Sequence, residues 1–257
     1  PGDTMLCDEL DFSFSTSQLS AWVGAKGLHV EALAFAPATG NQASALRALL
    51  GSWRLRRPSR RFPKALFTIS AFQNPTGRSR TRDEAAALYS VCAEYGIVII
   101  EDDPYRLLAF GDPLDETAPL PGCQAGGGGE AARPVSFLSL DTDGPVIRCD
   151  TFSKWMNPGL RCGWLTAPRA VLQKLAQGAG PSLGVASATQ VLLHAIFEHW
   201  GPQGIDAHVR RVQSAYRRRC AVALRAAEEH LAGLARWEAP RGGMFLWIEL
   251  LGVDDSL

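Results

Sequence analysis

Lysine is the residue this chain most conspicuously lacks. Of its 26 basic residues only four are Lys, at positions 26, 64, 154 and 174, and the rest are Arg. A mechanism that needs a lysine amine therefore has four candidates. Surplus charge is missing as well: 26 Lys+Arg face 26 Asp+Glu, so no global field recruits nucleic acid or an anionic membrane. No apolar stretch approaches the roughly 20 residues that span a bilayer, and no signal or transit segment precedes the first strand. The six cysteines are scattered without a CxxC pair, several inside apolar runs where a thiol acts as a small hydrophobe. A reduced, intracellular protein is expected, cytoplasmic or mitochondrial. The five histidines, at 29, 194, 199, 208 and 230, make no HExxH or other ligand pattern, so no metal site is expected.

What remains is ordinary globular composition, 46% apolar and 20% charged over 257 residues, enough for one large domain or two smaller ones. The chain opens at Pro1, enters strand-like Met5-Leu6-Cys7 almost at once and stops at Leu257 just after a strand and a turn. Both ends read as cuts through a fold. Short apolar runs at 4–7, 28–35, 65–70, 97–101, 146–150 and 162–166 alternate with helical patterns, the signature of an α/β domain with a mainly parallel sheet. Thr81 and Glu84 form a T-x-x-E capping box, after which Ala85, Leu88, Cys92 and Tyr95 fall on one helical face. Gly96 closes that helix before Ile97-Val98-Ile99-Ile100, a run typical of a strand covered on both faces. One βαβ crossover thus runs from Ala65 to Glu101.

Residues 112–134, with four consecutive glycines, read as a flexible surface excursion; a phosphate-cradling loop would have to lead into a helix start, and none follows. Helices are expected at 186–199 and 206–231, then an alternating strand from Met244 to Leu250 behind Gly242-Gly243. This points to two domains, 1–200 and 201–257. The cluster Arg210, Arg211, Arg217, Arg218, Arg219 and Arg225 reads as a solvated helix face, with Val209, Val212 and Tyr216 turned inward.

Three segments place polar or ionisable groups at strand ends, where open α/β sheets build ligand crevices. Asn74-Pro75-Thr76-Gly77 follows strand 65–70 and is, alone, simply good turn chemistry. Glu101-Asp102-Asp103-Pro104-Tyr105 ends strand 97–101; an acid abutting an apolar strand needs a cationic partner or an open cleft. Thr151-Phe152-Ser153-Lys154, running on to Arg161, joins a lysine, two hydroxyls and an arginine in one loop after strand 146–150. Arg and hydroxyls suit a phosphate dianion, and a lysine in an apolar setting suits imine chemistry. Together these groups meet the requirements of pyridoxal phosphate.

The order NPTG, EDDPY, TFSK, with an Arg seven residues beyond the Lys, resembles the fold-type I aminotransferases of class I/II. PGDTMLCDE, VIRCDTFSKWMNPGLRCGWLTAP and RGGMFLWIEL extend the resemblance along the whole chain, nearest to the kynurenine/α-aminoadipate group and its fungal aromatic relatives. The resemblance implies a three-layer αβα sandwich around a mainly parallel sheet, plus part of a smaller α+β domain. It implies pyridoxal 5′-phosphate as cofactor, amino-acid and 2-oxo-acid substrates and a homodimer; the neutral charge and the lack of a spanning run point to neither nucleic acid nor membrane as partner. By the same resemblance Lys154 forms the Schiff base and shuttles the proton, and Asp102 pairs with the pyridinium nitrogen. Tyr105 and Asn74 bond the phenolic oxygen, Thr151, Ser153 and Arg161 hold the phosphate, and Phe12 stacks on the ring. It also places an upstream phosphate loop, a partner-subunit tyrosine and a carboxylate-gripping arginine outside these residues.

Two other readings stand beside it. A regulator with an aminotransferase-like sensing module and a winged-helix domain would share NPTG and TFSK, though such proteins more usually carry EDDYD than EDDPY. A truncated, non-catalytic relative is the third, and intact Asp102, Tyr105, Lys154 and Arg161 argue against decay by substitution.

Overall fold

The computed structural model describes residues 2–8, 24–25, 27–34, 41–122, 134–178 and 184–253. Its centre is a six-stranded sheet built from β1 (Thr4–Asp8), β2 (His29–Leu33), β3 (Pro63–Ile69), β4 (Val98–Asp102), β5 (Val146–Thr151) and β6 (Gly163–Thr166). The strand order is β2-β1-β3-β4-β5-β6. The first five strands run parallel, and β6 joins β5 antiparallel after the tight loop 152–162. The expected parallel α/β sheet is therefore present, each strand within a residue or two of its anticipated place.

Five helices follow in chain order among the described residues: α1 (Gln42–Gly51), α2 (Trp53–Arg56), α3 (Arg82–Glu94), α4 (Arg169–Gly178) and α5 (Ser187–Leu231). The capping box of α3 forms as read: the Thr81 side chain accepts from Glu84 N–H, and Glu84 reaches back to Thr81 N–H. Helix α1 is an addition to the sequence reading, capped by Asn41, whose side chain accepts from Ser44 N–H. Along one face of the sheet Leu6, Leu66, Ile99 and Val146 meet Leu46 and Leu50 of α1, Trp53 of α2, and Ala85, Leu88, Val91 and Cys92 of α3. Each large side chain buried there contributes about 1.5–3 kcal/mol of transfer free energy.

The two helices expected at 186–199 and 206–231 form one run, α5, broken at Gly201, where φ is 58° ahead of Pro202. Proline lacks the N–H that would continue the ladder, so the break falls where the chain already turns. Beyond α5, β7 (Ala235–Trp237) and β8 (Ile248–Leu250) make a small antiparallel pair. The alternating strand expected from Met244 thus shortens to its last three residues. Residues 241–243 lie elsewhere, against the segment after β4: Phe110 and Gly111 N–H groups donate to Arg241 O (2.9 and 3.0 Å), and Gly243 N–H donates to Leu108 O (3.2 Å).

The Arg-rich face of α5 is not uniformly solvated. Arg217 is buried and donates to the carbonyls of Ala118 (2.7 Å), Glu116 (3.0 Å) and Asp115 (3.4 Å). Arg210 donates to Leu120 O at 2.6 Å, and Gln213 accepts from Gly122 N–H at 3.2 Å. These positions recur on one helical stripe, so residues 115–122 of the expected excursion are strapped to the helix. The glycine run itself lies outside the described residues. Among the described residues no helix is long and apolar enough to cross a membrane.

Candidate active site

The three polar segments converge because β3, β4 and β5 are adjacent and parallel, so their C-terminal ends open on one edge of the sheet. Asp102 is the last residue of β4, in register with Ile69 on β3 and Cys149 on β5. Three residues on, Tyr105 is buried at the start of a 3₁₀ turn, Arg106–Leu108. Lys154 leaves the turn after β5, and its Nζ lies 5.9 Å from the Tyr105 ring centroid. The structure thus brings an acid, a phenol and one of the chain's four lysines to neighbouring strand ends.

The loop carrying Lys154 is held from within. Thr151 Oγ1 lies 2.9 Å from Ser153 Oγ and 3.2 Å from Cys162 O, and it accepts from Ser153 N–H at 3.1 Å. Trp155 is buried and donates Nε1–H to Thr151 O at 3.0 Å, while a His208 ring nitrogen sits 2.9 Å from Trp155 O. Arg161 is exposed, in the left-handed region (φ 46°), with Nη1 3.5 Å from Pro158 O. Phe152 N–H donates to Cys162 O at 3.1 Å, which folds the residues beside Arg161 back onto Thr151 and Phe152.

Asn74 lies in the loop leaving β3, on the other side of β4 from Lys154, and its bond to Pro75 is cis. The loop closes with Gly77 N–H donating to Gln73 O (2.6 Å) and Gln73 N–H to Arg78 O (2.8 Å). Gly77 (φ 70°) is required here, because a Cβ would come 2.8 Å from Phe245 O. Phe245 in turn meets the Tyr105 ring edge-on, centroids 5.3 Å apart. The NPTG loop and Tyr105 therefore share one C-terminal neighbour. Phe12 lies outside the described residues.

Buried polar networks that single-residue reading misses support these loops. Glu101 is fully buried, its oxygens accepting from Ser70 Oγ (2.6 Å), Ser136 Oγ (2.7 Å), Phe137 N–H (2.9 Å) and Leu138 N–H (3.2 Å). Asp8 pairs with buried Arg80 at 2.7 Å and accepts from Gln42 Nε2 at 2.8 Å and from Thr68 Oγ1. Asp103 faces Arg106 Nε at 2.8 Å and Arg148 Nη2 at 2.9 Å. Burial pushes the Asp103 carboxyl above its ordinary value, and those two guanidiniums oppose the shift. A signal for this last network exists in the chain: Glu101 and Asp103, and Arg148 and Asp150, stand two apart on adjacent strands. It becomes readable only with the register Glu101↔Arg148 in hand.

Comparison with known proteins follows the same lines. The family model for aminotransferase class I and II matches residues 21–256. The chain is 34% identical to mitochondrial kynurenine/alpha-aminoadipate aminotransferase of Rattus norvegicus, over all of this chain and 56% of that protein. It is 38% identical to aminotransferase swnA of Metarhizium robertsii, over 87% of this chain and 42% of that one. Among solved structures, the aromatic aminotransferase of C. Albicans superposes with a TM-score of 0.82 at 26% identity, covering 99% of this chain and 54% of the other. The alpha-aminoadipate aminotransferase of Thermus thermophilus, solved with N-(5'-phosphopyridoxyl)-L-leucine, gives 0.75 at 28% identity, covering 97% and 56%. The chain spans about half the length of the curated relatives it matches.

Proposed function

Because the chain belongs to the class I and II aminotransferases, we propose that the protein moves an amino group between an α-amino acid and a 2-oxo acid, using pyridoxal 5′-phosphate. The observation that carries this reading is the gathering of Asp102, Tyr105 and Lys154 at adjacent strand ends, with the Lys154 amine 5.9 Å from the Tyr105 ring. The donor set fits the cofactor chemically: a carboxylate for a protonated ring nitrogen, a phenol and an amide for a ring oxygen, and hydroxyls with a guanidinium for a phosphate. When bound, pyridoxal phosphate supplies the electron sink that lets the Cα–H bond of an amino acid ionise.

The chain's own residues then divide the work. Lys154 would be the amine that holds the cofactor covalently, and its free amine would take and return the Cα proton. The Asp102 carboxylate would pair with the ring nitrogen and favour its protonated form, which would keep the sink strong. Tyr105 and Asn74 serve the ring oxygen. Thr151, Ser153 and Arg161 serve the phosphate, Arg161 through the bidentate geometry that suits a dianion. Phe12 is proposed as the stacking ring.

Substrates of aromatic, kynurenine or 2-aminoadipate type are proposed from the names of the relatives. A homodimer, an intracellular site of action, and a division near residue 200 into cofactor-binding and smaller domains belong to the same proposal. The test is Lys154→Ala. Borohydride should fix pyridoxal phosphate onto Lys154 in the wild type, seen by peptide mass. The variant should lose at least about two orders of magnitude in transamination rate. Full transamination by Lys154→Ala sinks the proposal.

A further inference from the structure

Side chains alternate across a strand, so the register Asp102↔Cys149 and Glu101↔Arg148 sorts these residues onto opposite faces of the sheet. Asp102 and Thr151 share the face and end of the sheet where Lys154 emerges. Arg148 and Asp150 stand on the other face, over Ser136. There, Arg148 Nη2 lies 2.5 Å from Asp150 Oδ1 and 2.9 Å from Asp103 Oδ2, and Nη1 donates to Ser136 Oγ at 3.1 Å. Asp103 Oδ2 also accepts from Arg106 Nε at 2.8 Å. Asp103 immediately follows Asp102, Arg106 immediately follows Tyr105, and Asp150 immediately precedes Thr151. Each acid of this cluster is thus bonded one peptide unit away from a residue of the candidate site.

We propose that Arg148 is a positioning residue for the transamination site: by bridging Asp103 on the β4 end to Asp150 on the β5 end, it sets the separation of Asp102 and Tyr105 from Lys154. The inference rests on the reading of those three residues as cofactor-binding. Backbone tethers alone leave that separation less determined. The register ends at Asp102↔Cys149, and among the described residues one further backbone bond joins the two segments, Asp103 N–H to Cys149 O at 2.9 Å. The ionic bridge lies beside that last bond. Its atoms are nearly all buried, with Asp103 and Arg148 side chains 0% and 11% exposed, so water does not substitute for it. Two buried atoms, Asp103 Oδ1 and Arg148 Nε, have no hydrogen-bond partner among the described residues. Such a cluster is a poor device for stability alone, since apolar residues of similar volume do as well or better. Its placement serves geometry.

The test compares wild type, Arg148→Lys, Arg148→Met and the neutral pair Arg148→Met/Asp103→Asn. Titrations with pyridoxal phosphate give the Kd, and the visible band of the bound cofactor is followed against pH. Arg148→Met should weaken binding roughly tenfold or more and displace the pH midpoint of that band, because the catalytic groups are misplaced rather than removed. Arg148→Lys should recover part of both. If Arg148→Met, which leaves Asp103 to Arg106 alone, fails to fold, the neutral pair carries the test and should show the same two changes with an intact far-UV spectrum. A purely structural cluster would lower the melting temperature and leave Kd and midpoint at wild-type values, and that result overturns the proposal. Failure of the underlying reading looks different: the wild type itself would neither bind the cofactor nor acquire it on Lys154, and both proposals would fall.

Discussion

Cys92 shows how far the interior departs from water. It is fully buried under the sheet on α3, and burial pushes its thiol from 9.0 to about 12, with Arg80 opposing. Cys149, beside Asp102, Asp150 and Glu101, is pushed to about 11, chiefly by burial. The sign of the linkage follows. Both thiols hold their protons more tightly folded than unfolded, so their contribution to stability is complete below about pH 9. It is lost as pH rises, over the span up to about 12 for Cys92. Within that span each such thiol steepens the fall by up to about 1.4 kcal/mol per pH unit. Urea midpoints measured from pH 8 to 10.5 should therefore decline more steeply for the wild type than for Cys92→Ala, whatever the offset between them. Parallel curves would mean that the thiol is not held protonated. Legibility at this scale is uneven. Asp102, Tyr105 and Lys154 are visible because each sits beside a strand-end signal in the chain itself. The role of Glu101 is not, because the groups that satisfy it, Ser70 and Ser136, come from other segments and depend on the fold.

At the scale of the element, the contrast is between α3 and α5. Everything that starts α3 lies within four residues, so its capping box is written in the chain and forms as written. The role of α5 as a strap is not local: Arg217 reaches carbonyls about a hundred positions away in sequence. From the sequence it is one arginine among six on a helix, and net neutrality favours leaving all six in solvent. The two kinds of arginine should separate on substitution. Arg217→Met removes charged donors from three carbonyls and should cost roughly 2–4 kcal/mol. Arg218→Met, next along the helix, loses only an exposed bond to Ser214 and should stay within about 0.5 kcal/mol. Chemical denaturation measures both, and limited proteolysis adds a local readout, since the 112–122 stretch should be cut faster in Arg217→Met alone. Equal costs for the two variants would contradict the strap.

The whole molecule is joined through the candidate site rather than around it. The sheet with α1 and α3 forms one apolar cluster, while Ile69, Phe72, Tyr105, Leu108, Trp155 and Val209 form another that draws on β3, the loops after β4 and β5, and α5. Sequence patterns disclose the first, because periodicity reports faces of single elements. Of the second they disclose the α5 side alone, Val209 with Val212 and Tyr216; the rest is assembled from loop residues with no period, and the patterns do not show what Gly242-Gly243 does there. Phe72 is held at φ 49°, and a Cβ on Gly242 would fall 2.1 Å from Phe72 Cζ, and on Gly243 2.5 Å from Phe72 Cβ. The pair is thus a flat seat for Phe72, directly before the NPTG loop. Gly243 adds a conformational demand, with φ at 78°, where a side chain costs roughly 1–2 kcal/mol. Overpacking against Phe72 adds about 1–3 kcal/mol. Gly243→Ala should accordingly lower stability by several kcal/mol, and it should do so in one transition, with tryptophan fluorescence and far-UV circular dichroism falling together. Because Phe72, Tyr105 and Phe245 move with the seat, pyridoxal phosphate affinity should fall in the same variant under conditions where it is still folded. Wild-type stability in Gly243→Ala, or a loss confined to residues 232–253 with the cofactor still bound at full strength, would show that the C-terminal segment is an appendage and not part of the site.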